Sequence, residues 1–195
     1  MTADPLLVLV WLVVAHLVAD FVLQTDGIAA DKVGHGRRAA RGLGLHVAGV
    51  FLCLVPFVVA FGLPGLVAAV AISAAHAVLD RAKVVLTRRA EARALLAARA
   101  SHEAPLPEAS LGRAWTPVPA ALFALDQLAH VAVIAFAWLV WLSAAPVAEP
   151  FASAVTSLLS RWDPGAVHRV VLVALVITAL AIVNIRAASF FVATL

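Results

Sequence analysis

The chain has 195 residues, 64% of them hydrophobic and 13% charged, with a mean hydropathy of +1.04 and a formal net charge of +3. A soluble domain is nearer about 45–50% apolar and about 25% charged, so this composition excludes an ordinary soluble enzyme. It predicts a polytopic, all-α membrane helix bundle, one transmembrane domain over residues 1–195 with the lipid bilayer as its partner. The pI near 10.0 fits loops beside an anionic leaflet, and no nucleic-acid partner is expected.

Five segments approach the roughly 20 apolar residues that a span needs. The first is 5–23, with Asp4 as its N-cap and Pro5 at the first helical position. The second is 42–61, with a kink expected at Pro56. The third is 63–86, reached through the Gly-Pro turn at 61–65. The fourth is 118–145, opened by Thr116-Pro117, and the fifth is 166–187, opened by Asp163-Pro164. Between the third and fourth, the loop 87–117 begins Ala- and Arg-rich, which predicts a helix continuing out of the membrane before Pro105 and Pro107 end it. Residues 151–160 are apolar but too short to span, and read as an interfacial or re-entrant piece. The lone cysteine, Cys53, lies in an apolar run and leaves no disulfide framework within one chain. Met1–Asp4 has no basic stretch, and no cleaved signal peptide is expected.

Charge orients the spans. Of the 14 Lys and Arg, all but Arg161 and Arg169 fall on the face reached after the first, third and fifth spans. The positive-inside rule makes that face cytoplasmic, with the N-terminus outside and the C-terminus inside.

Four spans carry ionisable residues inside their apolar runs. The first has His16 and Asp20, with Gln24 a turn later. The second has His46, one turn into its span; the third has His76 and Asp80; the fourth has Asp126, Gln127 and His130. Three of these are His/Asp pairs at spacing four, which share a helix face. At about 1.5 Å of rise per residue, all of them fall in the cytoplasmic half of their spans. Antiparallel neighbours would bring four His and three Asp together, a ligand set for one or two divalent ions such as zinc, manganese or iron. The expected ligands are His16, Asp20, His46, His76, Asp80 and His130, with Asp126 as catalytic base and Gln24, Lys32, Lys83 and Gln127 toward a substrate. Buried His–Asp pairs also neutralise one another or relay protons. Lys83 could neutralise an anionic substrate but reads first as a basic residue snorkelling at the cytoplasmic boundary, and Asn184 reads as a helix–helix hydrogen bond. His35, His102 and His168 show no pattern.

The strings His16-Leu-Val-Ala-Asp20-Phe-Val-Leu-Gln24, Lys32, His46, His76-Ala-Val-Leu-Asp80 with Lys83, and Asp126-Gln127-Leu-Ala-His130 resemble the bacterial membrane family filed as domain of unknown function 3307. The resemblance covers about residues 6–140 and implies a small polytopic protein of the bacterial inner membrane, without an established activity. A looser similarity, His and Asp on membrane helices, links it to membrane-bound metal-dependent hydrolases. Three readings are open: an intramembrane metal-dependent hydrolase of a lipid-like or membrane-delivered substrate, a proton or metal-ion relay or transporter, and a structural or regulatory subunit with a polar core.

Overall fold

A computed structural model of the chain describes residues 3–100 and 118–187. They form seven α-helices: α1 Pro5–Val18, α2 Asp26–Lys32, α3 Gly36–Phe61, α4 Leu63–Ala100, α5 Val118–Ala137, α6 Glu149–Leu159 and α7 Pro164–Ile182. Single π-helical turns extend α1 over Ala19–Leu23, α5 over Trp138–Leu142 and α7 over Val183–Ala187. Five of these helices are long and apolar enough to cross a membrane, and no β-strand occurs among the described residues.

Local chemistry sets the helix starts. The Asp4 carboxylate accepts from the amides of Leu6 at 2.8 Å and Leu7 at 3.1 Å, and Pro5 fills the first position, where no amide is needed. Asp163 caps α7 through the Ala166 amide at 2.7 Å, again with proline next. The 116–117 start expected for α5 lies outside the described residues. Between α3 and α4 the turn is tighter than the five residues read from sequence. Gly62 alone interrupts the helices, at φ 60°, a backbone region that L side chains avoid. Gly65 then lets α4 lie against α3, since a Cβ there would collide with the Phe57 carbonyl oxygen. The α3 carbonyl of Ala60 accepts from the Ala148 amide at 2.8 Å, tying the start of α6 to the end of α3.

Several boundaries move. α3 begins at Gly36, six residues before the expected start, so His46 lies nearly three turns into its helix and not one. The sequence places Pro56 within α3, which runs unbroken through it. The expected outward extension of the third span is present as the long α4. α2 has no counterpart among the expected elements. It packs on α3 at Gly42, where a Cβ would meet the Asp31 Cβ and the Lys32 amide nitrogen at 2.6 Å. Arg88 of α4 donates from Nη2 to the carbonyls of Val33 at 2.7 Å and Gly34 at 2.8 Å, covering acceptors at the end of α2. Asp31 adds an ion pair to Arg38.

α1 contacts α3, α5 and α7, while α3 and α4 form the tightest pair. The core stripe of each inner helix repeats at three and four residues, as in Val8, Leu12, Ala15 and Ala19 of the first or Val50, Leu54, Phe57 and Phe61 of α3. At one end of the bundle these stripes are apolar. Toward the Lys/Arg-rich end they turn polar without changing face: Ile72 is followed by His76 and Asp80, and Ile134 is preceded by His130 and Asp126. α7 packs mainly on α1, and among its described residues buries only Ile182, which clusters with Leu17 and Phe21. Its Asn184 is exposed and donates from Nδ2 to the Leu180 carbonyl of its own helix at 2.8 Å, and among the described residues the expected interhelical bond is not found.

Candidate metal centre

Four imidazoles and three carboxylates from α1, α3, α4 and α5 meet where the stripes turn polar. All seven are buried, from 2% exposure for His46, His76 and His130 to 9% for Asp20. Asp20 sits on the π-helical turn that ends α1, where Gln24 donates to the Ala19 carbonyl five residues back at 3.1 Å. A π turn is rare and widens the helix locally, a feature frequent at functional sites.

The inner quartet is His46 Nε2, His76 Nε2, Asp20 Oδ1 and Asp80 Oδ2. The two ring nitrogens are 2.9 Å apart. His76 Nε2 lies 3.2 Å from Asp20 and 3.8 Å from Asp80, and His46 Nε2 lies 3.5 Å and 3.3 Å from the same oxygens. A tetrahedral shell with bonds of about 2.0–2.2 Å has edges of about 3.3–3.6 Å, and these five separations bracket that length. Overlapping His/Asp trios, His16-Asp20-His76, His46-His76-Asp80 and Asp80-Asp126-His130, each offer ligand atoms within 4.8 Å of one another.

Hydrogen bonding satisfies the cluster incompletely. Asp20 Oδ1 has three imidazole nitrogens at 3.2–3.7 Å, but no ring N–H is aligned on it. An imidazole nitrogen carries one in-plane proton at most, and a proton shared between His46 and His76 leaves the rest of the quartet as facing lone pairs. Both nitrogens of His16 and the Nε2 of His130 are also buried without a hydrogen-bond partner. His130 Nδ1 is 2.8 Å from the Asp126 backbone carbonyl, which fixes the proton on Nδ1 and leaves Nε2 a bare acceptor. That is the tautomer of a metal-ligating histidine held by its outer nitrogen. His130 stacks on His16 at 5.2 Å between ring centroids and lies 4.1 Å from His76.

Charge is divided unevenly among the carboxylates. Lys32 Nζ donates to Asp80 and to Gln24 Oε1, each at 2.7 Å. Lys83 Nζ donates to Asp126 at 2.7 Å and lies 5.3 Å from the Phe123 ring centroid. Lys83 thus makes an ion pair within the bundle while its side chain stays 34% exposed, which is compatible with the boundary position read from the sequence. Among the described residues, the ion-pair partners of Asp20 are the imidazoles of His16, His46 and His76, with no lysine or arginine among them.

A cavity of about 630 Å³ opens on this cluster. Asp20, Asp80 and Asp126 line it while the four histidines do not, so the carboxylates stand between the imidazoles and the cavity. Gln24, Lys32, Lys83 and Gln127 line it as well, together with His35, Thr87, Arg88 and Glu91, which sequence reasoning did not single out. Thr87 and Glu91 continue the α4 face of His76, Asp80 and Lys83 at spacing three and four, a signal present in the sequence, with Arg88 beside them. His168 lies 3.7 Å from Asp4, away from the cluster, and His102 is outside the described residues.

A family model described as "Protein of unknown function (DUF3307)" matches residues 8–160, which include every residue of the cluster and the cavity. No curated protein and no solved structure matches the chain.

Proposed function

For this chain, which belongs to the family of domain of unknown function 3307, we propose an intramembrane metal-dependent hydrolase at the cytoplasmic end of the bundle. The observation that carries it is Asp20 Oδ1, a buried carboxylate oxygen amid three imidazoles with no ring N–H aligned on it. A divalent cation satisfies that oxygen and the lone pairs facing it. His46, His76, Asp20 and Asp80 would hold the ion, with His16 and His130 as further candidate ligands. Nitrogen and carboxylate donors suit zinc, manganese or iron. When bound, the ion supplies an activated water and charge stabilisation for an ester-like bond.

The chain's own residues do the rest. Asp126, held by Lys83 and by Gln127 Nε2 at 3.2 Å, faces the cavity and takes the water proton. It returns that proton to the leaving group as the scissile bond breaks. Lys32 fixes Asp80 in position. A lipid-like substrate reaches the cavity from the bilayer of the bacterial inner membrane, with the basic loops and the C-terminus inside and the N-terminus outside. A relay across the membrane fits less well, because the opposite half of the core is Val8, Leu12, Val50 and Leu54 among the described residues.

The test is metal content of protein purified in detergent, before and after chelation, for the wild type and His76→Ala. The proposal expects at least one stoichiometric divalent ion, reduced at least tenfold in the variant. Protein that is folded, metal-free and unable to take up zinc, manganese or iron would refute it.

A further inference from the structure

We infer that the cavity over the His/Asp cluster binds the phosphate-monoester headgroup of an anionic amphiphile. Its volume, about 630 Å³, lies within the roughly 300–1,000 Å³ of small-ligand sites. Three cations from two helices line it, Lys32 of α2 and Lys83 and Arg88 of α4, with the amides of Gln24 and Gln127 beside them. The carboxylates Asp20, Asp80, Asp126 and Glu91 line it too, Asp80 and Asp126 paired with the two lysines, so the anion is recognised by the donors these pairs leave over rather than by an excess of positive charge. An ammonium has three donors. Lys32 Nζ gives two, to Gln24 and Asp80, and Lys83 Nζ gives one, to Asp126. Donors remain on both, and the Lys83 side chain is 34% exposed.

Several donors arriving from different directions match a tetrahedral oxyanion, with three or more acceptor oxygens, better than a planar carboxylate. Phe21, Val84, Leu122 and Phe123 supply the apolar part of the lining, where the first carbons of an acyl chain would lie. The carboxylates hold the ammonium groups in place for this anion. Lys32 is anchored on Asp80 and Lys83 on Asp126, so neither has to be ordered when the anion arrives. Such an amphiphile is the substrate class of the proposed hydrolase, so its cleavage rests on that reading; recognition of the headgroup does not.

The experiment is calorimetric titration of the full chain in neutral detergent with dihexanoyl phosphatidic acid. Dihexanoylglycerol and inorganic phosphate serve as comparison probes, each run with and without chelator, with metal content measured on the same samples. The expected result is a preference for the phosphatidic acid of at least tenfold over either comparison probe. Lys83→Gln should weaken that binding about tenfold or more, the cost of one charge-assisted hydrogen bond, and Lys83→Arg should restore most of it. Equal binding of dihexanoylglycerol overturns the proposal even if metal is present. Equal binding of inorganic phosphate overturns the lipid source and assigns the site to soluble phosphate. Selective binding to protein that holds no metal as purified and takes up none supports the headgroup site while removing the hydrolase reading. If Lys83→Gln does not fold, Gln127→Leu, which removes a cavity amide, is expected to weaken binding several-fold; unchanged affinity there counts against the site.

Discussion

Asp20 and Asp80 differ in what faces them, and that difference gives the sharpest residue-level expectations. Asp80 has Lys32 at 2.7 Å, whereas among the described residues the ion-pair partners of Asp20 are imidazoles. Asp20→Asn removes the charge that no lysine or arginine offsets, and metal affinity should fall more than about a hundredfold, beyond the 10–100-fold usual for outer-shell changes; equilibrium dialysis against zinc reads this directly. In a metal-free polar core the same substitution would stabilise the fold instead, by removing a buried, poorly matched charge. Asn184→Ala is the counterpart control. Among the described residues its amide bonds its own helix, and it is exposed, so thermal stability in detergent should stay within about 0.5 kcal/mol and metal content should not change. The membership of the cluster is legible from sequence because each polar residue continues an apolar stripe at spacing three or four. Its pairings are not: that Lys83 reaches Asp126 and Lys32 reaches Asp80 depends on how α2, α4 and α5 meet, which spacing within one helix does not encode.

Elements with strong periodicity are legible in the sequence, and those held by a few specific contacts are not. The first span is expected at 5–23, and helix and π turn together cover those residues. α2 escapes such a reading because seven residues, Asp26–Lys32, bury no side chain and carry no apolar stripe. Thr25 before Asp26 is an available cue, since its hydroxyl caps the Ile28 amide at 3.3 Å. α2 is held instead by the close approach at Gly42 and by Arg88 on its last carbonyls. Arg88→Ala should therefore loosen α2 alone. Opening of residues 26–34 should become easier by about 1.5–3 kcal/mol, seen as faster amide exchange there, with exchange in α3 unchanged. Gly65→Ala acts on the bundle as a whole. The added Cβ would collide with the Phe57 carbonyl oxygen, so α3 and α4 must separate, at about 1–3 kcal/mol of stability in thermal unfolding. The π turns at Asp20 and at the end of α5 have no sequence signature, because they arise where tertiary contacts override the regular helical register.

At the scale of the molecule, the arrangement is a bundle that is apolar at one end and polar at the other, with basic residues beyond the polar end. The orientation proposed from the positive-inside rule puts that end in the cytoplasm, and labelling tests it. With Cys53→Ser as background, cysteines replacing Arg37 and Arg93 should resist impermeant reagents in intact cells and react after permeabilisation; ready labelling from outside would invert the topology. Orientation sets where a substrate enters, but the proposed chemistry depends on the ion itself. The most direct measurement is X-ray absorption at the edge of whichever metal copurifies. The expected spectrum has a shell of about four nitrogen and oxygen atoms at about 2.0–2.2 Å, with outer-shell scattering from at least two imidazoles that is lost in His46→Ala/His76→Ala. A sulfur shell, or a hydrated ion whose spectrum is unchanged by that double substitution, would rule out the His/Asp cluster as the metal site.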